Sequence, residues 1–141
     1  MVSRADYNAF RQWEVVDGSV DLQGTYPFAY LPPGHGMYVD LDGSRRHGGT
    51  LRTRQALVLA PGEYALRFRL AGTQWVSAPN TVDVSLGDVF HESITLPAFA
   101  PMQRYERTVS VPRATTARLQ FSQRGADDMG LLLDDVELVR R

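Results

Sequence analysis

A strand signal that returns roughly every ten residues is the feature that most constrains the fold of this chain. From Trp13 to Val139, short runs of alternating apolar and polar residues are separated by turn residues such as glycine and proline. No segment longer than a turn carries apolar residues at helical spacing. Short strands joined by turns are typical of two packed antiparallel sheets. The sequence therefore predicts an all-β, antiparallel β-sandwich.

The clearest predicted strand covers residues 63–70, after the turn at Pro61-Gly62. Successive side chains of a strand point to opposite faces. One face of this strand is apolar, with Tyr64, Leu66, Phe68 and Leu70, and the other carries Ala65, Arg67 and Arg69. We expect the first set to lie in the core and the second set to face water.

A second alternating run ends at Gly87-Asp88, which predicts a two-residue hairpin turn before a strand over residues 89–95. The apolar face of that run, and those of two similar runs, are expected to complete the core. These inward sets are Val82, Val84 and Leu86; Ala117, Leu119 and Phe121; and Met37, Val39 and Leu41 before the turn at Asp42-Gly43.

The length of 141 residues fits one domain, which we place at residues 13–141 after a polar arm at residues 1–12. The arm has no apolar run, so the sequence predicts neither a signal peptide nor a membrane span there. A formal net charge of -1 gives no electrostatic reason to bind nucleic acid. The chain has no cysteine, so disulfides and thiolate metal sites are excluded.

No pattern of catalytic residues is recognisable. The three histidines, His35, His47 and His91, lie in separate segments without the spacing of a zinc motif. No serine lies in a G-x-S-x-G elbow. A glycosidase would need two carboxylates across a cleft, whereas the acidic residues here fall mostly at turns and on outward faces. We therefore expect a protein that is not an enzyme.

Two aspartates are candidates for metal binding. Asp40 begins a run that resembles a calcium loop, but the sixth position is Arg45 and the twelfth is Leu51, which excludes an EF-hand. Asp134 shares the strand phase of Leu132, Val136 and Leu138, which predicts an inward carboxylate. A buried carboxylate must be hydrogen-bonded, paired or metal-bound. A hydrogen-bond network and a structural calcium ion both satisfy this requirement.

Three irregular segments, residues 24–36, 45–49 and 72–79, are predicted as loops, where binding residues usually lie. Aromatic rings stack on sugar faces, and amide or imidazole groups hydrogen-bond to hydroxyls. Rings in loops also pack over a sandwich edge or against a partner protein. The candidate ligand-binding residues are Tyr26, Phe28, Tyr30, His47, Gln74 and Trp75.

Several short motifs follow one another along residues 13–139. They are Trp13-x-Val15-x-x-Gly18-Ser19-Val20-Asp21-Leu22; Tyr38-Val39-Asp40-Leu41-Asp42-Gly43; Pro61-Gly62-x-Tyr64-x-Leu66-x-Phe68-x-Leu70-Ala71-Gly72; Asn80-Thr81-Val82-x-Val84; Thr115-Thr116-x-x-Leu119-x-Phe121; and Leu133-Asp134-Asp135-Val136-x-Leu138. In this order they resemble the DUF642 and bacterial choice-of-anchor C group of galactose-binding-like domains. The resemblance implies a jelly-roll sandwich that is extracellular and non-catalytic, often binds carbohydrate or cell-wall material, and sometimes holds calcium. Asp134 matches the aspartate of that group's Leu-Asp-x-Val motif.

Two functions remain open from the sequence. The first is a non-catalytic module that recognises a glycan or cell-surface polysaccharide outside the cell, as in adhesion. The second is a structural protein that attaches to a protein assembly, such as a decoration or fibre protein of a phage virion. The loop aromatics and the resemblance favour the first, and the polar arm without a signal peptide favours the second.

Overall fold

The computed structural model describes residues 13–17, 21–24, 37–41, 49–72, 79–124 and 130–141. In these residues the regular secondary structure consists of β-strands, and no helix is present. The all-β prediction is confirmed. In chain order the strands are β1 (Trp13–Asp17), β2 (Asp21–Gly24), β3 (Met37–Asp40), β4 (Thr50–Thr53), β5 (Leu57–Leu59), β6 (Gly62–Ala71), β7 (Asn80–Leu86), β8 (Phe90–Leu96), β9 (Gln103–Val111), β10 (Thr115–Ala117), β11 (Leu119–Arg124) and β12 (Leu132–Arg140).

Two five-stranded antiparallel sheets form the layers of the sandwich. The β7 sheet has the strand order β1-β4-β11-β7-β8, and the β6 sheet has the order β2-β3-β12-β6-β9. Strands β5 and β10 pair separately as a two-stranded ribbon. The inward faces of both sheets contribute to one hydrophobic cluster. The predicted antiparallel β-sandwich of the galactose-binding-like jelly-roll type is confirmed.

Strand β6 shows how the alternation in the sequence produces the sandwich. Leu66, Phe68 and Leu70 are at most 1% exposed and lie in the core. The side chains of Arg67 and Arg69 alternate with them and are 27% and 36% exposed. Because each burial of a large apolar side chain contributes about 1.5–3 kcal/mol, this alternation fixes which face of β6 turns inward.

Four aromatic side chains form a row that crosses the core from one sheet to the other. Trp13 packs on Phe121 in the β7 sheet, with ring centroids 6.1 Å apart. Phe121 meets Phe68 of the β6 sheet edge to face at 5.4 Å, and Phe68 stacks on Tyr105 at 5.5 Å. Such pairs add about 0.5–1.5 kcal/mol each beyond burial, so the row joins the two layers.

One side of the sandwich is linked by a bidentate ion pair between the edge strands β8 and β9. Arg107 donates from Nε and Nη2 to the two carboxylate oxygens of Glu92 at 2.7 and 2.8 Å. Its guanidinium also lies 5.6 Å above the Tyr105 ring. The hydrogen bonds from Arg107 hold the pKa of Glu92 below its ordinary value.

The predicted hairpin between β7 and β8 is confirmed, but its predicted length was wrong. Leu86 pairs with Phe90, so the turn contains three residues, 87–89. Gly87 adopts a positive φ of 49°, which glycine permits at little cost. Val89 donates its backbone N–H to the Leu86 carbonyl at 3.1 Å and therefore belongs to the turn.

A β-bulge interrupts β12 and reverses which of its residues face the core. Asp134 pairs with Arg69 and Glu137 pairs with Arg67, so β12 contains one residue more than β6 between these pairs. Asp135 has a φ of 52°. Consequently Leu133 belongs to the core before the bulge, and Val136 and Leu138 pack against the core after it.

A buried polar network lies where β4, β7, β11 and β12 end or begin. Gln123, only 5% exposed, donates from Nε2 to Asn80 Oδ1 at 3.0 Å and accepts the Leu131 N–H at 3.2 Å. Its backbone N–H donates to the Gly49 carbonyl, and Gly49 donates to the Leu41 carbonyl. These bonds satisfy buried polar groups and fix the strand ends relative to one another.

The end of β6 is pressed against the turn at residues 97–100. Gly72 donates its N–H to the Ala100 carbonyl at 3.0 Å. A Cβ at position 72 would lie 2.2 Å from the Pro97 carbonyl oxygen, closer than real Cβ contacts allow. Phe99, in the same turn, has a φ of 61° and is 47% exposed. Only a glycine permits this close approach.

Candidate functional site

The six residues predicted as ligand contacts, Tyr26, Phe28, Tyr30, His47, Gln74 and Trp75, lie outside the described residues. The strands that flank them are described. Leu41 and Gly49, on either side of residues 42–48, and Asn80, which follows residues 73–78, meet in the Gln123 network. Residues 25–36 instead connect Gly24 to Met37, at the opposite end of the β2–β3 pair from Asp40. The loop site therefore remains a prediction.

The predicted strand phase of Asp134, shared with Val136 and Leu138, was wrong. Its cross-strand partner is Arg69, on the polar face of β6, whereas the neighbouring Leu133 pairs with the buried Leu70. The prediction failed because the bulge shifts Val136 and Leu138 out of phase with Asp134. The side chain of Asp134 lies on the same face as Arg69 and is half-buried, and its Oδ2 atom is buried.

The backbone of Asp40 pairs with Leu132, two residues before Asp134. Among the described residues, no group of three or more histidine, cysteine, aspartate or glutamate side chains is arranged to hold a metal ion. Calcium binding by Asp40 and Asp134 therefore remains a prediction.

A surface pocket of about 390 Å³ lies on the outward face of the β6 sheet, beside the β12 bulge. We call it the bulge pocket. It is lined mainly by charged side chains from three neighbouring strands, β6, β9 and β12. The lining residues are Arg67, Phe68, Arg69, Arg104, Asp135, Val136 and Glu137.

Strand register explains why these charges converge. Opposite residues of an antiparallel pair share a face. Arg67 lies opposite Glu106, and Arg69 lies opposite Arg104, on β9. On the other side of β6, Glu137 lies opposite Arg67. The bulge adds Asp135 and Val136 at the rim, so the pocket forms where the regular alternation of β12 is broken.

Arg67 is the central side chain of the ion-pair network beside the pocket. Its Nε donates to Glu106 at 2.6 Å and its Nη1 donates to Glu137 at 3.3 Å. Arg141 donates to the second oxygen of Glu106 at 3.3 Å. The hydrogen bond from Arg67 holds the pKa of Glu106 below its ordinary value, and Arg141 and Arg104 act in the same direction. Glu106 is therefore ionised near neutral pH.

Arg104 differs from the other arginines of the bulge pocket. Its side chain is 56% exposed, and the oxygen of its ion-pair partner, Oε1 of Glu106, is 3.7 Å from Nη2. That separation allows an ion pair but exceeds a hydrogen bond. Within the described part of the chain Arg104 makes no side-chain hydrogen bond. Its guanidinium therefore has N–H donors available for a ligand.

Sequence reasoning missed the bulge pocket. It correctly placed Arg67 and Arg69 on a wet face, but it treated that face only as solvated surface. The alternation of Arg104 and Glu106 with Tyr105 and Arg107 indicates a strand and could have located β9. The pairing of β9 with β6, separated by more than thirty residues in sequence, was not readable from that pattern.

No protein-family model matches this sequence, and a search among curated protein sequences finds no match. Solved structures do match. The K1 cleaved adhesin domain of Lys-gingipain from Porphyromonas gingivalis W83 is similar with 18% identity and a TM-score of 0.63, over 99% of this chain and 98% of that domain. The chain has a galactose-binding-like fold.

Two carbohydrate-binding modules are also similar. One, of family 61, was solved in complex with β-1,4-galactotriose; it is 17% identical with a TM-score of 0.58, over 94% of this chain and 90% of that one. The other is a family 35 module from Clostridium thermocellum, 14% identical with a TM-score of 0.58, over 99% and 98% of the two chains. At these identities the likeness establishes the fold.

The described residues contain no helix that is long and apolar enough to cross a bilayer.

Proposed function

We propose that this chain is a non-catalytic carbohydrate-binding module and that the bulge pocket contacts the saccharide. The observation that carries the proposal is the chemistry of that pocket. Sugar hydroxyls both donate and accept hydrogen bonds. The bulge pocket offers guanidinium donors from three arginines and carboxylate acceptors from Asp135 and Glu137. Its volume is within the range of pockets that bind small ligands.

The comparisons support the same proposal. The similar structures include two carbohydrate-binding modules and an adhesin domain, each matched over nearly its whole length. The ion pairs of the pocket argue for binding rather than proton transfer, because Glu106 is held ionised by Arg67. A general acid would need a carboxyl that stays protonated near the working pH.

A glycan array followed by titration calorimetry tests the proposal. We expect the wild-type protein to bind a subset of glycans, and Glu137→Gln combined with Arg67→Gln to weaken that binding about tenfold or more, because the pocket loses one charged donor and one charged acceptor for sugar hydroxyls. Arg113→Gln is the matched control, since Arg113 is exposed at the far end of β9 from the pocket. Absence of binding to every glycan would refute the proposal.

If the Arg67→Gln/Glu137→Gln variant binds glycans as well as wild type does, the binding site must be sought in the loops instead. Trp75→Ala and Tyr26→Ala are then expected to weaken the binding instead, as predicted from the sequence. A melt with and without EDTA tests the proposed structural calcium, because a bound ion stabilises the folded state by mass action.

Such a module would act outside the cell or on the surface of an assembly. Attachment to a protein assembly, such as a phage virion, is the alternative function. It predicts that the protein binds no glycan and instead co-purifies with a specific scaffold protein.

A further inference from the structure

We propose that the bulge pocket selects anionic saccharides and that Arg69 and Arg104 together bind the carboxylate or sulfate group. This inference rests on the proposed carbohydrate-binding function and specifies its ligand class. It begins from the β6–β9 register, which sets Arg69 directly opposite Arg104. Like charges at directly opposite positions of an antiparallel pair are unfavourable. An anion held between the two guanidinium groups would remove that repulsion.

The carboxylates nearest Arg69 on β12 are those of Asp134 and Asp135. Asp135 is 3.3 Å from Arg69 Nε, and Asp134 is the β12 residue in register with Arg69. Both belong to β12, whereas Arg104 belongs to β9, on the other side of β6. Arg104 therefore pairs with a different carboxylate, that of Glu106 on β9.

Glu106 does not neutralise Arg104 fully, because it serves three arginines. Its Oε1 accepts from Arg67 at 2.6 Å and its Oε2 accepts from Arg141 at 3.3 Å. Arg104 is left with the 3.7 Å ion pair. A carboxylate or sulfate can accept two parallel hydrogen bonds from a guanidinium, and such charge-assisted bonds are about twice as strong as neutral ones. A neutral hydroxyl offers no comparable gain.

The position of the pocket fits an extended saccharide. Arg104 is near the start of β9, which is an edge strand of the β6 sheet, and its side chain is more than half exposed. Asp135 and Glu137 also line the pocket and can accept hydrogen bonds from sugar hydroxyls. A sugar ring can therefore be held by these carboxylates while its acidic group reaches Arg69 and Arg104.

Matched pairs of glycans test the inference with the full-length protein. The probes are oligouronates and their methyl esters, sulfated oligosaccharides and their desulfated forms, and neutral oligosaccharides of the same linkages. We expect the charged form of a bound glycan to bind about tenfold or more tightly than its neutral counterpart. We also expect rising ionic strength to reduce this preference. Whether the ester or the desulfated form loses binding distinguishes a carboxylate ligand from a sulfate ligand.

The variant Arg104→Gln separates a ligand contact from a structural role. We expect it to abolish the preference for the charged glycan, while the ligand-free protein melts at the same or a higher temperature because the repulsion with Arg69 is removed. Arg104→Lys keeps the charge without the planar fork and should retain part of the preference. Arg113→Gln, away from the pocket, should change neither quantity.

The outcomes distinguish the two proposals. Equal binding of charged and neutral forms, with loss of both in the Arg67→Gln/Glu137→Gln variant, would overturn the anionic preference and leave carbohydrate binding intact. A preference for charged glycans that persists in Arg104→Gln would also overturn the inference. Absence of binding to every glycan would overturn both proposals.

Discussion

Replacing Gly72 by alanine tests how tightly the end of β6 is held against the turn at residues 97–100. The new Cβ would lie 2.2 Å from the Pro97 carbonyl oxygen and 2.8 Å from the Ala100 nitrogen. Both are backbone atoms, so no side-chain rotation can relieve the overlap. The first contact is more than 1 Å shorter than an ordinary one, since unbonded heavy atoms settle at about 3.5 Å or more.

Moving Pro97 and Ala100 away from the new Cβ would distort the turn and stretch two hydrogen bonds, the one from Gly72 to Ala100, now 3.0 Å, and the one from Ala100 to Pro97, now 3.3 Å. Two such bonds contribute about 1–3 kcal/mol together, and overpacking costs about 1–3 kcal/mol. Because the losses overlap, we expect Gly72→Ala to lower the free energy of unfolding by about 2–4 kcal/mol. Most domains are stable by about 5–15 kcal/mol, so the variant should still fold.

Urea unfolding followed by tryptophan fluorescence measures this change, since Trp13 packs against Phe121 in the core. Ala98→Gly is the control in the same turn. It removes a side chain without introducing an overlap and should cost about 1 kcal/mol or less. A value for Gly72→Ala within about 0.5 kcal/mol of wild type, the usual effect of a neutral surface change, would refute the close contact.

Two ion pairs give further predictions. In a double-mutant cycle with Arg107→Gln and Glu92→Gln, we expect a coupling free energy of about 1 kcal/mol, because the pair is bidentate but about one-third exposed; a coupling near zero would show that the bridge between the sheets is not stabilising. Asp83 accepts hydrogen bonds from Arg124 and Ser93, which lower its pKa from 3.8. Because the pKa of Asp83 is lowered on folding, its carboxylate stabilises the folded state at pH values above the ordinary pKa of 3.8. This stabilisation is lost as the pH falls below 3.8. Asp83→Asn should therefore lower the free energy of unfolding at neutral pH, and the two proteins should become equally stable in strong acid. Denaturant unfolding at both pH values measures this, and a difference in stability that does not change with pH would contradict the role of Asp83.

Much of the core could be predicted because face alternation is a local property of the sequence. Leu66, Phe68 and Leu70 were assigned inward, and so were Val82 and Val84, and all five are at most 1% exposed. Each assignment needed only the neighbours of the residue within the same strand. No knowledge of strand pairing was required.

The bulge pocket could not be predicted because it depends on two non-local features. One is the bulge in β12, where the φ of Asp135 is 52° although no glycine marks the position. An aspartate at this position gives no distinctive turn signal in an otherwise regular strand. The other is the register that places Arg69 against Arg104. A shift of one residue in that pairing would put Tyr105 opposite Arg69 instead.

Core and pocket residues alternate along the same two strands, and this arrangement bears on how the protein can evolve. Arg69 and Arg104 can be exchanged without disturbing the stacked pair of Phe68 and Tyr105, because they point the opposite way. In the proposed site, the charges that face the ligand and the apolar side chains that stabilise the fold therefore belong to different residues. A lineage with this scaffold can diversify its charged positions while selection for folding preserves the stacked pair of Phe68 and Tyr105.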